Sequence, residues 1–321
     1  RRPRGVAGLI TPWNFPVAIP LWKAAPALAY GNGVVLKAAS EATALALRLA
    51  EALSPALPEG LFRVVPGGAT TGTALIEHAD CVSFTGSVEV GRQVVMAATG
   101  RGIPCQAEMG GLNASIVLPD ADPGRAAATI AGAAMGYAGQ KCTATSRVIV
   151  VGDPAPFTEA LVAAVEGLPV GDPAEQRTVV GPVINEPARA AVLEAAGQAA
   201  AAGGRTLTGG RAGDGAGWFV APTLVDRLPP DARLAQEEVF GPIAVVLPAA
   251  DEDEAVAVAN GVRYGLVGAV FTRDLDRALT VAARLDTGLI RVNAPTSGVD
   301  YLAPFGGEKD SSFGPREQGK A

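Results

Sequence analysis

Short apolar, often β-branched runs alternate with longer Ala- and Leu-rich runs through the first third of the chain, and this rhythm leaves few folds open. Val6 to Ile10, Val34 to Lys37, Leu61 to Val65 and Cys81 to Thr85 read as strands. Leu21 to Tyr30, Glu41 to Leu53 and Thr70 to His78 read as the helices between them, and Val88 to Thr99 as the helix after the last. Strands that are apolar on both faces and joined by helices build a parallel sheet covered on both sides, so the fold class is α/β. A second set begins at Asn113, with strands at Ala114 to Leu118, Arg147 to Val151, Val267 to Phe271 and Leu289 to Val292. Its helices are expected at Ala126 to Tyr137, Phe157 to Gly167, Pro187 to Ala202, Asp251 to Asn260 and Asp274 to Leu285. The glycine-dense stretch from Gly203 to Gly217 reads as a surface hairpin or loop. A chain of 321 residues holds two cores, and the change near Gly110-Gly111 is the expected boundary between them.

Composition narrows the function. Apolar residues make up 49% and charged residues 18%, as in a well-buried globular chain, and the net charge of −6 argues against nucleic acid or an anionic membrane as partner. No run reaches transmembrane length, and the basic start Arg1-Arg-Pro-Arg4 leads only to a short apolar run cut by Pro12. Three cysteines without paired or metal-type spacing imply no disulfide framework and no metal site, which fits a reducing, cytoplasmic setting. The absence of an initiator Met suggests a fragment or a processed chain.

One cysteine stands apart. Cys81 and Cys105 lie in apolar strand-like runs, where a thiol is small core packing. Cys142 lies instead in Gly136-Tyr-Ala-Gly-Gln-Lys-Cys142-Thr, a polar, Gly-rich turn where a neighbouring Lys and a helix end favour thiolate. The chain's single histidine, His78, ends a surface helix, so a carboxylate is the simpler base. Glu108 follows an apolar strand and precedes two glycines; it is either a solvated strand-end acid or a part-buried one whose raised pKa suits base catalysis. Asn14, between Trp13 and Phe15, either caps its own turn or donates to an oxyanion.

Two strand–glycine–helix junctions could hold phosphate, around Gly67 and around Gly86-Ser87, although neither is G-x-G-x-x-G and glycines there are usually turn residues. Lys37 ends a buried strand and either reaches solvent or donates to ribose hydroxyls.

Thr11-Pro-Trp-Asn-Phe-Pro16, Phe84-Thr-Gly-Ser87, Glu108-Met-Gly-Gly111, Gly139-Gln-Lys-Cys-Thr143, Glu237-Glu-Val-Phe-Gly-Pro242 and Pro304-Phe-Gly-Gly307 together resemble the successive motifs of the aldehyde dehydrogenase superfamily, in its order and spacing. The resemblance implies a Rossmann-like NAD- or NADP-binding domain, an α/β catalytic domain and a homo-oligomer, dimer or tetramer, acting on a small-molecule aldehyde. It implies a partial cofactor domain over 1–110 lacking its N-terminal part, a catalytic domain over 111–307, and a return to the cofactor domain over 308–321 without the C-terminal oligomerisation strand. It makes Cys142 the nucleophile and Glu108 the general base, with Asn14 and the Cys142 N–H as oxyanion donors. It puts Gly86 and Ser87 at the pyrophosphate, Lys37 at the adenosine ribose, and Glu238 and Phe240 at the nicotinamide ribose. Thr11, Pro12, Trp13, Ser40, Glu41, Gly67 and Phe84 complete the implied cofactor site. Ser40 in place of an acid three residues after Lys37 leans toward tolerance of NADP, with Glu41 beside it. Asn293 to Gly307 with Ser311 to Gly319 is similar to the branch of the family that oxidises α-ketoglutaric semialdehyde (2,5-dioxopentanoate) to 2-oxoglutarate.

Overall fold

The computed structural model describes residues 2–318. The chain divides into two compact units, one holding residues up to 110 together with 300–306 and the segment from 310, the other holding 111–299 and 307–309. The end of the expected return segment, 319–321, lies outside the described residues.

The first unit runs β1 (Val6–Thr11), α1 (Ala18–Ala29), β2 (Gly33–Ala38), α2 (Thr43–Leu53), β3 (Phe62–Val64), α3 (Ala69–His78), β4 (Cys81–Thr85), α4 (Val88–Gly100) and β5 (Cys105–Glu108). The second runs β6 (Asn113–Val117), α5 (Pro123–Met135), β7 (Thr145–Val151), α6 (Ala155–Glu166), α7 (Glu186–Ala201), β8 (Arg205–Thr208), β9 (Thr223–Asp226), α8 (Arg233–Gln236), β10 (Ile243–Ala249), α9 (Glu252–Asn260), β11 (Tyr264–Gly265), β12 (Val267–Phe271), α10 (Leu275–Ala282), β13 (Leu289–Val292) and β14 (Glu308–Lys309). A last short strand, β15 (Ser312–Phe313), belongs to the first unit.

In the first unit the sheet order is β15-β5-β4-β1-β2-β3, parallel apart from β15. The chain moves outward from β1 to β3, then restarts on the other side with β4 and β5, so the order reverses between β1 and β4. In open parallel sheets such a reversal leaves a crevice at the carboxyl ends of the strands, because the flanking connections diverge to opposite faces. Leu9, Val34, Leu36, Ala24 and Ala46 form the core beneath it.

The second sheet is ordered β13-β12-β6-β7-β10-β9-β8, parallel apart from β8. Every residue of β6 and β12 is buried, as expected for strands covered on both faces. The helices start where the sequence supplies caps: Asp122, Asn185, Asp251 and Asp274 each accept from a backbone N–H of the first turn, and Ser87 does so for α4. Sequence reasoning overlooks β10, a central strand of this sheet, and extends the helix before Cys142 to Tyr137. The helix ends at Met135, since Gly136 takes an extended ψ of 140°.

Candidate active site

Of the expected site residues, Cys142, Glu238 and Phe240 lie in the second unit and the others in the first.

Cys142 sits just ahead of β7, at the amino end of the second sheet. The approach to it is a short left-handed turn: Tyr137 (φ 61°, ψ 31°), Ala138 (φ 52°, ψ 33°) and Gly139 (φ 66°). Two successive non-glycine residues in this region cost roughly 1–2 kcal/mol each. Such strain persists only where surroundings enforce it. Here Tyr137 N–H donates to Val179 O at 3.0 Å, and the buried Gln140 accepts from Ile184 N–H at 2.8 Å through Oε1. Gly139 packs so tightly on Gly241 that a Cβ there would overlap the Gly241 carbonyl.

On the far side of the cysteine the brace is Asn113, which sequence reasoning missed. Its Nδ2 donates to Cys142 O at 2.7 Å and Ala144 O at 2.8 Å, while its Oδ1 accepts from Val267 N–H at 3.0 Å. Both donor hydrogens and the carbonyl oxygen are thus engaged, and it is 3% exposed. Arg147 reinforces the same region, donating to Leu112 O, Val258 O and Ala259 O, and burial brings its guanidinium down to about 10. Cys142 itself is half-buried, whereas Cys105 is buried and its thiol pushed up to about 11 by burial. Burial also pulls the neighbouring Lys141 down to about 8, opposed by the charge of Cys142.

Glu238 and Phe240 are brought to this turn. A concave site of the second unit is lined by Gly111, Gly139, Lys141, Glu238 and Phe240, and Glu238 Oε1 accepts from Gly111 N–H at 3.1 Å. Phe240 holds a left-handed φ of 57°.

In the first unit, Glu108 ends β5 and is 2% exposed. Burial pushes its carboxyl up to about 8; the nearby Glu317 adds to the rise, and bonds from Ser312 and Gln106 together with the Lys23 charge oppose it. Gln106 Nε2 donates to Oε1 at 3.1 Å and Ser312 Oγ to Oε2 at 2.6 Å. Lys23, on α1, is buried against Ser83 (2.9 Å), Gln106 (3.3 Å) and Glu317 (2.8 Å). Of the two sequence readings of Glu108, the solvated one is excluded.

The remaining expected residues lie at or follow the carboxyl ends of β1 to β4. Thr11 and Thr85 are the last residues of neighbouring strands at the reversal point, one step beyond the register pair Ile10–Phe84. Both hydroxyls are buried without a hydrogen-bond partner among the described residues. Gly86 continues from β4, and a Cβ on it would come within 2.5 Å of the Phe84 ring. Ser87 caps α4, its Oγ accepting from Val90 N–H at 3.3 Å. Asn14 is 4% exposed, and Pro12 and Trp13 are half-buried. Lys37 is half-buried on β2, and Ser40 and Glu41 are exposed on the turn after it. Gly67, before α3, holds a φ of 140°, and a Cβ there would overlap Thr71. Two orphaned hydroxyls beside a helix N-terminus, at a strand-order reversal, fit a polar, phosphate-bearing cofactor. Thr85 is the member of this set that sequence reasoning did not single out.

A parallel sheet with a cofactor-type crevice, a braced cysteine turn and a buried carboxylate agree with the Aldehyde dehydrogenase family model, which matches residues 1–321. The chain belongs to the aldehyde dehydrogenase family, a class of NAD(P)-dependent oxidoreductases. It is 44% identical to the alpha-ketoglutarate semialdehyde dehydrogenase of Haloferax volcanii, over 100% of this chain and 68% of that protein. It is 40% identical to the alpha-ketoglutaric semialdehyde dehydrogenase of Bacillus subtilis, with the same coverage. Among solved structures, an aldehyde dehydrogenase of Mycobacterium tuberculosis complexed with NAD+ superposes with a TM-score of 0.95 at 36% identity, over 98% of this chain and 66% of the other. Betaine aldehyde dehydrogenase of Staphylococcus aureus in complex with NAD+ gives 0.95 at 35% identity, over 99% and 64%. The chain thus spans roughly two thirds of its relatives, 68% of the first two. No helix among the described residues is long and apolar enough to cross a membrane.

Proposed function

We propose that the protein oxidises an aldehyde to a carboxylic acid with NAD or NADP, and that its aldehyde is α-ketoglutaric semialdehyde, oxidised to 2-oxoglutarate. The reaction type rests above all on the mounting of Cys142: a half-buried thiol on a strained turn braced from both sides, unlike the buried Cys105. The substrate rests on the C-terminal sequence and on the names of the Haloferax and Bacillus relatives.

In this reading the Cys142 thiolate adds to the aldehyde carbon, and the side-chain amide of Asn14 and the N–H of Cys142 donate to the oxyanion that forms. When bound, the nicotinamide supplies the acceptor for the hydride that leaves the adduct carbon. A thioester then remains on Cys142. Glu108 takes a proton from the water that attacks the thioester carbon, the C–S bond breaks, and the acid leaves with the thiolate restored. A carboxyl held near 8 suits this work, because it is basic enough to accept that proton and still part-ionised near neutrality.

Thr11, Pro12, Trp13, Lys37, Ser40, Glu41, Gly67, Phe84, Gly86 and Ser87 are proposed to hold the dinucleotide, Thr85 with them, and Glu238 and Phe240 its nicotinamide ribose. The units around residues 1–110 and 111–307 would be the cofactor and catalytic domains, and the working protein a cytoplasmic homo-oligomer.

The test is steady-state formation of reduced cofactor from 2,5-dioxopentanoate, betaine aldehyde and simple aliphatic aldehydes, with NAD and NADP separately. The expected result is highest kcat/KM for 2,5-dioxopentanoate. Equal or better turnover of betaine aldehyde would overturn the substrate, and ester hydrolysis without cofactor as the sole activity would overturn the reaction.

A further inference from the structure

The antiparallel pairing of β15 with β5 sets Ser312 directly opposite Glu108. The pairing is fixed next to that point: Met109 N–H donates to Ser311 O at 2.8 Å, and the fully buried Ser311 donates through Oγ to Gly110 O at 2.8 Å. Ser312 Oγ thereby reaches Glu108 Oε2 at 2.6 Å, the length of a hydroxyl bond to an ionised oxygen. The reaction sequence proposed above has no place for this serine.

We propose that Ser312 is a positioning residue for Glu108: its hydroxyl holds the carboxylate in one orientation and stabilises the ionised form, so that it sets the pH at which Glu108 works as a base. This rests on the reading of Glu108 as the base.

The surroundings make the serine decisive. Burial and the Glu317 carboxylate oppose ionisation of Glu108, while Ser312, Lys23 and Gln106 favour it, Ser312 most strongly. Lys23 approaches from α1 and is already paired with Glu317 at 2.8 Å, which divides its influence. Gln106, on the same strand as Glu108, donates to Oε1 at 3.1 Å, a longer bond from a neutral amide. Arg316 lies beyond Gly306 and donates to the Gly306 carbonyl; a Cβ on Gly306 would stand 2.6 Å from Arg316 Cδ and 3.1 Å from Glu108 Oε1. Helix α4, packed on the same sheet, buries Val88, Gly91, Val94 and Ala98, which bring no charge. Ser312 is thus the closest donor to an acid that its environment would otherwise keep protonated.

The experiment is a carbon-13 NMR titration of the chain labelled at its Glu carboxyls, with the Glu108 signal identified by its loss in Glu108→Gln. In the unmutated chain the midpoint is expected near 8. Ser312→Ala should raise it by about one pH unit. Ser312→Thr, which keeps the hydroxyl on a β-branched residue suited to a strand, should return it close to the unmutated value. Ser312→Cys keeps the size with a weaker donor and should fall between, which also serves if the alanine variant does not fold. In the active protein the acid limb of kcat should move with the midpoint. A midpoint that stays put or falls in both Ser312→Ala and Ser312→Cys would overturn the proposal, as would a midpoint shift with no movement of the acid limb. Failure of the underlying reading is a separate result: steady turnover unaltered in Glu108→Gln, whatever the serine does.

Discussion

The two sheets of this protein carry the residues of the proposed site at opposite strand ends. The first gathers its expected ligand-binding residues at the carboxyl ends of β1 to β4, around a reversal of strand order where Thr11 and Thr85 leave their hydroxyls unpaired among the described residues. The second mounts Cys142 at the amino end of β7, where Asn113 and Thr145 open neighbouring strands. A crevice at the carboxyl ends follows from topology alone, since connections diverge there whatever the side chains. Nothing in parallel topology makes the amino end a site. There the geometry has to be built from particular bonds: a three-residue left-handed turn, a glycine against a carbonyl, and an asparagine tying two carbonyls to a third strand. On the proposed reading, binding is therefore placed by the fold, and the nucleophile by local construction.

The comparison can be broken most sharply at the thiol. Cys142→Ala should lower reduced-cofactor formation on the order of 10⁴-fold or more, while Cys105→Ala leaves it within about twofold. Steady-state assay of both variants decides whether the amino-end turn carries the reaction. Next in size, Glu108→Gln should lower steady turnover roughly 10²–10⁴-fold, the usual worth of a general base. Gly139→Ala attacks the construction itself: a Cβ in a left-handed position against Gly241 should cost about 2–4 kcal/mol, read as a lower denaturant midpoint at constant slope. Asn113→Ala leaves two buried carbonyls short of a donor. It should cost about 1–3 kcal/mol and also slow alkylation of Cys142 by iodoacetamide, mapped by peptide mass, more than Asn260→Ala, which removes two side-chain bonds to Arg284 and Asp286, does. Equal alkylation rates in the two variants would reduce Asn113 to ordinary packing.

A further effect is expected on stability against pH. A Glu108 carboxyl raised from 4.5 to about 8 binds its proton more tightly folded than unfolded. Its contribution is fully present below pH 4.5 and is lost as pH rises through 8. Glu108→Gln should accordingly melt higher than the unmutated chain at pH 9, by roughly 2–4 °C per kcal/mol, with the gap narrowing toward pH 5.

Much of this was legible in the residues, and the exceptions follow a pattern. Most of the first sheet could be read because its parallel strands are short, largely apolar runs, and Cys81 to Thr85 coincides with β4, whereas the two-residue β15 could not. Cys142 and Glu108 could be picked out by their surroundings, a thiol without apolar neighbours and an acid after an apolar strand. The burial of Glu108 was one of two readings left open, because the groups that meet its carboxyl include Ser312 and Glu317, some 200 positions away. Asn113 was invisible for the same reason: its partners are Cys142, Ala144 and Val267, and a sequence does not say that a loop and a distant strand meet at one amide. The helix expected to run to Tyr137 stops at Met135, because the tertiary frame, rather than local propensity, holds Tyr137 and Ala138 left-handed.

The central claim is that the Cys142 sulfur holds the substrate carbon through the oxidation. It is tested most directly by mixing Glu108→Gln protein with 2,5-dioxopentanoate and oxidised cofactor, quenching within the first turnover, and mapping the acyl adduct by mass spectrometry while reduced cofactor is followed optically. The account predicts a single burst of reduced cofactor, about one per site, matched by a thioester on the peptide containing Cys142. Continued turnover with no adduct on that peptide, or an adduct on Cys81 or Cys105 instead, would contradict it.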